Sequence, residues 1–354
     1  MTDLEKLCSR VTEAADCAVI TDDVNRRYFT AMKSSAGTLV VFPEKAYFII
    51  DFRYIEKAKK TVTACEVILQ DKLYEQINRL IEKHGAKTVS VNADTCTLSE
   101  LIAYQQKLNA EVISDTKLAE IIREIRTVKS QEQIDKIIKA QRIAEKGFAH
   151  MLDFIKVGRT EKEIQLELDY YMLKNGAEAL SFDTIALSGS NTSLPHGVPS
   201  DKKVESGEFV LMDFGATYDG WHSDMTRTVC VGKPSDKMKS VYETVLTAQL
   251  SALDAVKAGM PGKALDKIAR DIITEAGYGD NFGHSLGHGV GVEIHESPYA
   301  SPSREDILPE NSIVTVEPGI YLEGKFGVRI EDFVVVTENG CINMTKAPKE
   351  LICL

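Results

Sequence analysis

Five side chains in the C-terminal half of the sequence are of the types that bind divalent cations: Asp213, Asp224, His288, Glu317 and Glu331. Each sits in a local context that would aim it inward. Asp213 ends the apolar run Phe209-Val210-Leu211-Met212, and Asp224 follows the turn Tyr218-Asp219-Gly220-Trp221. His288 lies in the glycine-rich stretch 283–291, Glu317 ends Ile313-Val314-Thr315-Val316, and Glu331 lies in Val328-Arg329-Ile330-Glu331-Asp332. Four carboxylates and one imidazole suit two divalent ions better than one. A single zinc takes about four ligands rich in nitrogen or sulfur. Oxygen-rich sets favour harder ions such as manganese.

Asp213 and Asp224 flank a hairpin signal at Asp219-Gly220. Opposed residues of a hairpin share a face, so both carboxylates can converge on one point. Alone they repel, and one keeps its proton; a divalent cation lets both ionise. The plainer reading is one aspartate capping the turn and one in solvent. His284 and His288 have the spacing of a helical zinc motif, but Gly283, Gly287, Gly289 and Gly291 argue against a helix. The glycines suit an extended segment that another backbone approaches closely. A phosphate cradle is the rival, without its usual following Lys-Ser/Thr. Glu317 and Glu331 fall among apolar neighbours, where an isolated carboxylate is costly unless paired or metal-bound. In a strand Val328–Asp332, Arg329 and Glu331 would share a face, and Arg329 could orient a ligand carboxylate by a bidentate contact. A surface Arg–Glu pair is the alternative. His196, in the rigid loop Leu194-Pro195-His196-Gly197-Val198-Pro199, and His295 join this cluster as functional candidates; five of the seven histidines fall between 196 and 295. His222 and His284 are weaker candidates, and His84 and His150 read as surface helix residues.

The elements that must position these groups belong to a chain of 354 residues, long enough for two domains. Its hydrophobic content of 44% allows a large core. The net charge of −11 argues against nucleic acid or an anionic membrane surface as a partner. Solubility is the plainer reading of that charge, although a cation site needs part of it. Seven cysteines, with no CxxC, argue against a disulfide framework or a thiolate zinc site. There is no signal-peptide pattern at the N-terminus and no apolar run of membrane-spanning length. The expected setting is cytoplasmic and reduced.

Residues 1 to about 115 alternate strand and helix signals. Asp16–Ile20, Gly37–Phe42 and Lys45–Ile50 read as buried strands, and Leu73–His84 as an amphipathic helix stopped by Gly85. This is a small α/β domain. From Thr116 to Ile155 the apolar spacing is helical, with a boundary near Arg126–Ser130. The second half carries an internal echo. Lys156-Val157-Gly158-Arg159-Thr160 precedes a helix ending at Gly176-Ala177, and Lys257-Ala258-Gly259-Met260-Pro261 precedes one ending at Gly277-Tyr278, at the same offset. Helices Lys136–Phe154 and Lys237–Ala255 precede the two segments. Two helix–helix units, each leading into strands, suggest a pseudo-twofold domain; a chance likeness of two amphipathic hairpins is the alternative.

Taken in order, these motifs resemble the pita-bread metallopeptidases, in particular the Xaa-Pro aminopeptidase and prolidase branch. The likeness covers nearly the whole chain: DFG…SDMTRT around Asp213 and Asp224, GHGVGVEIHE around His288, VTVEPGIY around Glu317 and GVRIED around Glu331. Asn25–Thr30, Ser34–Gly37 and Asp51–Tyr54 resemble the creatinase-type N-terminal domain. The resemblance implies a mixed α/β (α+β) protein, with a creatinase-type α/β domain over 1–125 and a pseudo-twofold pita-bread catalytic domain over 126–354. It implies a site for two divalent ions, manganese first, with cobalt or zinc possible. Asp213 would bind one ion, His288 and Glu317 the other, and Asp224 and Glu331 would bridge. His196 and His295 would bind substrate and stabilise the tetrahedral species, with Glu317 and Arg329 also in the catalytic group. His284, Tyr299 and Arg53 are candidate substrate contacts. The resemblance also implies a homodimer, with Arg53 and Tyr54 near a partner's cleft.

The expected activity is hydrolysis of the peptide bond between an N-terminal residue and a following proline. An aminopeptidase acting on longer peptides is favoured over a dipeptidase limited to Xaa-Pro. A dipeptide's carboxylate needs a cation, and in some prolidases of the branch an arginine follows the His295-type histidine by four residues. Here that position is Tyr299, although Arg304 could reach the site. A methionine aminopeptidase would leave about 120 N-terminal residues unexplained. Creatinase works without metal, and a catalytically inactive binding relative would have lost ligands that this chain keeps.

Overall fold

The structure, a computed structural model, describes Met1–Leu354. The chain divides into two compact units, Met1–Arg126 and Thr127–Leu354. The first is built on a six-stranded mixed sheet in the spatial order Glu66–Leu69, Ala46–Ile50, Thr38–Val41, Cys17–Ile20, Thr88–Val91, Glu111–Ile113. The strands Ala46–Ile50, Thr38–Val41 and Cys17–Ile20, with the middle one antiparallel to both of its neighbours, are those expected from their apolar runs. Alternation divides their side chains between two cores. Ala18, Ile20, Leu39, Val41, Phe48 and Ile50 pack against the helices Asp3–Arg10 and Lys117–Thr127. Cys17, Val19, Val40, Tyr47 and Ile49 pack against Leu73–His84 and Leu98–Lys107. The helix Leu73–His84 ends at Gly85 with φ of 69°, the left-handed cap that glycine adopts without a Cβ penalty.

The second unit repeats one arrangement twice. The helices Gln131–Phe154 and Glu161–Lys174 pack side by side, as do Asp236–Ala255 and Gly262–Glu275. The first pair opens on two capping boxes, Ser130 with Gln133 and Thr160 with Glu163. Ser130 caps the start of the first helix, directly before the apolar spacing that begins at Ile134. Ile143, Phe148, Ile164 and Leu168 of this pair bury against Ala186, Val210, Met212 and Val229 of the sheet Ile185–Ser188, Glu208–Phe214, Met225–Val231. The second pair buries Val241, Val245, Leu265 and Ala269 against Val314, Val316, Val334 and Val336 of the sheet formed by Ile313–Val316, Asp332–Thr337 and Gly340–Asn343. The echo in the sequence is thus an echo in the fold.

Each half interrupts its long strand pair in the same way. After Glu208–Phe214 the chain bends at Gly215 and makes a small hairpin, Ala216–Tyr218 with Trp221–His222, before returning along Met225–Val231. Asp219 and Gly220 at the tip have φ of 49° and 82°, the turn that Asp-Gly favours. After Ile313–Val316 a second hairpin, Gly319–Leu322 with Phe326–Arg329, precedes the return along Asp332–Thr337. The candidate ligands occupy the four corners: Asp213 and Glu317 where the outgoing strands end, Asp224 and Glu331 where the return strands begin.

The single strand expected over Val328–Asp332 is broken at Ile330–Glu331. Strand Met225–Val231 captures the backbone there: Glu331 N–H donates to the Thr226 carbonyl at 3.2 Å, and the Arg227 guanidinium donates to the Glu331 carbonyl at 2.5 Å.

Candidate metal centre and active site

The four corners and His288 face one cavity of about 490 Å3. Its lining includes all five candidate ligands together with His196, His284, His295, Tyr299 and Arg329. A ligand atom from each of Asp224, His288 and Glu331 lies within 4.8 Å of the others. His288 Nε2 is 3.3 Å from Glu317 Oε1 and 3.6 Å from Asp224 Oδ2.

His288 sits on the short strand Gly287–Gly289. The glycines around it serve close approach rather than unusual dihedrals. A Cβ on Gly287 would lie 2.0 Å from the Thr315 carbonyl oxygen, and one on Gly289 would lie 2.4 Å from that of Ser297. Without side chains the strand presses onto its neighbours. His288 N–H then donates to Thr315 Oγ1 at 3.0 Å, and Thr315 Oγ1 donates to Glu317 Oε1 at 3.2 Å. One threonine therefore fixes two candidate ligands. Thr226 does the same in the other half: its hydroxyl donates to Glu331 Oε2 at 2.8 Å and accepts from Arg329 Nε at 3.0 Å.

Arg329 does not serve Glu331, its expected neighbour. Its Nη2 donates to Asp213 Oδ2 at 2.5 Å and its Nη1 to the Tyr321 hydroxyl at 2.8 Å. The strand break explains the difference, because Arg329 and Glu331 do not lie on one pleat. His284 Nδ1 faces the Ser285 carbonyl at 2.8 Å and Nε2 faces the Tyr321 hydroxyl at 2.9 Å. Both ring nitrogens are thereby engaged within the protein. Nδ1–H donating to the carbonyl leaves Nε2 to accept from Tyr321. The result is a chain of contacts from His284 through Tyr321 and Arg329 to Asp213.

His295 stands with its ring centroid 4.4 Å from that of His288. His196 lies on the exposed loop after Gly189–Ser193. Glu161, fully buried, ties both ends of that loop: it accepts from Ser188 N–H at 2.7 Å, from Asn191 Nδ2 at 3.0 Å and from Ser200 N–H at 3.0 Å. Arg53 belongs to the first unit, where its guanidinium pairs with Asp51 at 2.6 Å. His84 stacks on Phe42 and His150 pairs with Glu167, in keeping with structural roles.

The electrostatics test whether these residues suit metal ions. Burial and the neighbouring Asp213 charge push the Asp224 carboxyl well above the usual range. Burial and Asp224 do the same to Glu331. Burial also raises Asp213, against the pull of Arg329. Burial opposes charge on Glu317 and His288 too, but their mutual hydrogen bond outweighs it and holds Glu317 down at about 2 and His288 up at about 9. Protons on the cluster are how converging carboxylates balance charge by themselves, and a divalent cation displaces those protons. Two further atoms fit this reading. Asp213 Oδ1 and Glu331 Oε1 are buried and accept no hydrogen bond, although a buried acceptor is normally satisfied. The donor set is oxygen-rich with one imidazole, suited to ions of the manganese type.

Comparison with known proteins decides the family. The sequence pattern of metallopeptidase family M24 matches residues 135–338, and that of the creatinase/prolidase N-terminal domain matches residues 4–128. The chain belongs to metallopeptidase family M24. It is a metallo-exopeptidase that uses divalent metal ions, built from a creatinase-type N-terminal domain and a pita-bread domain. It is 40% identical to the Xaa-Pro dipeptidase of Pyrococcus furiosus over 99% of both chains. The structure of an Xaa-Pro dipeptidase from Bacillus anthracis superposes with a TM-score of 0.95 at 42% identity, over 99% of each chain. An X-Pro aminopeptidase from Thermotoga maritima follows with a TM-score of 0.89 and 38% identity, over 96% of this chain and 98% of that one. No helix of this M24 peptidase is long and apolar enough to cross a membrane.

Sequence reasoning passed over Thr226, Thr315, Tyr321 and Glu161. A signal existed for two of them. Thr226 and Thr315 each lie two residues from a candidate ligand in a strand context, hence on the same face.

Proposed function

We propose that this M24 peptidase is an Xaa-Pro dipeptidase (prolidase) that holds two divalent ions, manganese first, on Asp213, Asp224, His288, Glu317 and Glu331. The dipeptidase reading replaces the aminopeptidase expected from Tyr299. It is carried by the likeness, over nearly the full length of both chains, to the Xaa-Pro dipeptidases of P. furiosus and B. anthracis. The ligand assignment is supported by the convergence of five donors on one cavity and by the two buried carboxylate oxygens without a partner.

Bound ions would supply Lewis-acid polarisation of the scissile carbonyl and a water of lowered pKa. The chain's own groups do the rest. Asp213 is held in one orientation by Arg329, and Glu317 and His288 by Thr315, so the donors are set before substrate arrives. Glu317 takes the proton from the attacking water on its carboxylate. His295, whose pKa is lowered first of all by burial, offers a ring N–H to the developing oxyanion. His196, on the loop tethered by Glu161, donates a proton to the proline nitrogen, which must gain one to leave. A homodimer with Arg53 and Tyr54 at a partner's cleft belongs to the same reading, and light scattering at assay concentration tests it. The activity is tested by incubating the manganese-loaded protein with Xaa-Pro and Xaa-Pro-Yaa peptides. Cleavage of the dipeptide is expected; cleavage of the tripeptide alone would restore the aminopeptidase reading.

A further inference from the structure

Lys129 carries a buried charge that lies outside the cavity. Its side chain is 0% exposed, and its Nζ lies 2.7 Å from Oε1 of Glu296, which is 6% exposed. Neither residue lines the cavity. Burying an ion pair is costly because both charges leave water, and removing one partner leaves the other uncompensated. The root of Lys129 is fixed as firmly as its tip. Its N–H donates to the Asn311 carbonyl at 2.9 Å, and the next residue, Ser130, caps the helix Gln131–Phe154. A lysine held at both ends sets where the Glu296 carboxylate stands.

Glu296 opens the strand Glu296–Ala300. The loop 290–295, which joins that strand to the strand of His288, is wound around the Glu296 carboxylate. Oε2 accepts from Glu293 N–H at 3.4 Å. A Cβ on Gly291 would lie 2.2 Å from Oε1, so the carboxylate rests directly on the Gly291 backbone. The outer side of the loop is held as well, since His222 N–H donates to the Gly291 carbonyl at 2.9 Å. Ile294 and His295, just before Glu296, line the cavity.

We propose that Lys129 is a positioning residue for His295: through Glu296 it holds the loop 290–295 in the bend that presents His295 to the cavity. This rests on the role given to His295 above. The bend is fastened at Gly291 and Glu293 to the carboxylate, and the carboxylate to the Lys129 ammonium. Displacing a reacting group by about 1 Å can cost about 100-fold in rate, even when the cause lies away from the chemistry.

The test is a double-mutant cycle of Lys129→Met and His295→Ala on the manganese-loaded protein, with whichever of Ala-Pro and Ala-Pro-Ala the wild type cleaves. Lys129→Met should lower kcat about 10-fold or more in the wild-type background. In the His295→Ala background it should lower kcat less than about twofold, because a residue that acts through His295 has nothing left to position. KM should stay within about twofold of wild type, as for an interaction made in the transition state. Manganese affinity, measured by titration of the chelated protein, should be unchanged. Equal losses of kcat in both backgrounds would mark a merely structural pair and overturn the proposal, and so would manganese affinity that falls in step with rate. Wild-type kcat in Lys129→Met would overturn it too. If Lys129→Met does not melt cooperatively, Lys129→Met/Glu296→Gln, which leaves neither charge of the pair in place, takes its position in the cycle under the same criteria. Wild-type kcat in His295→Ala refutes the role of His295 and this proposal with it. A loss in His295→Ala to which the Lys129→Met loss simply adds refutes only the role of Lys129.

Discussion

Arg329 and Asp213 come from opposite halves of the pseudo-twofold unit, and their side chains meet at 2.5 Å beneath the cavity. Arg329 also holds Thr226 and Tyr321, so a single guanidinium joins the second hairpin to the long strand pair of the first half around the candidate ligands. Arg329→Lys keeps the charge but loses the fork. Manganese affinity, measured by titration of the chelated protein, should fall by about 10-fold or more, the usual effect of losing a partner that orients a ligand. Wild-type affinity would show that Asp213 needs no such support.

Asp224→Asn should move stability in opposite directions with and without metal. The Asp224 carboxyl is buried among like charges, so removing its charge should raise the melting temperature of the chelated protein. The gain on adding manganese should shrink sharply, because stabilisation by a ligand tracks its affinity. A chelated variant that melts below wild type, with the metal effect intact, would contradict the placement of Asp224 as a ligand.

His196→Ala should lower kcat by about 100-fold, within the range for a proton donor, while leaving metal content unchanged. Glu161→Gln acts through the same loop. It removes the charge that collects donors from Ser188, Asn191 and Ser200, so it should lower kcat in the same direction, by less, also without loss of metal. Loss of metal in step with rate would make His196 a ligand or a fold residue.

Asp332 is fully buried with Arg227 at 2.7 Å and Lys349 at 2.8 Å. Burial alone would raise its pKa, but those two charges outweigh it and hold the carboxyl below the ordinary value. The sign follows: stability from this pair is present above the unfolded carboxylate pKa of about 3.9 and is lost as pH falls through the lower folded value. Asp332→Asn should cost about 3–5 kcal/mol at pH 7, as for an uncompensated buried charge. The gap to wild type in denaturant titrations should narrow below about pH 4. A gap that stays constant with pH would mean that the Asp332 charge does not carry this stability.

What the sequence made legible follows from where each signal lay. The ligand candidates stood out because each ends or interrupts an apolar run, where an unpaired carboxylate is costly. The duplication was readable from glycines that stop two helices at the same offset, and Gly176 and Gly277 have φ of 107° and 85°. The outer strand Glu66–Leu69 was not legible, because an edge strand with exposed ends carries little alternation. Nor was the Arg329–Asp213 contact. It depends on the strand break at Ile330–Glu331, and that break is imposed by Thr226 and Arg227, about a hundred residues earlier in the chain. Arg304 was visible as a candidate, but only the geometry placed it on Tyr299.

The most direct test of the account is the rate of Ala-Pro hydrolysis as manganese is titrated into the chelated protein. No activity is expected at the start, with the rate rising to saturation as two ions bind per chain and falling again on re-chelation. Full activity in the metal-free protein, or a saturated metal site that leaves Ala-Pro intact, would contradict it.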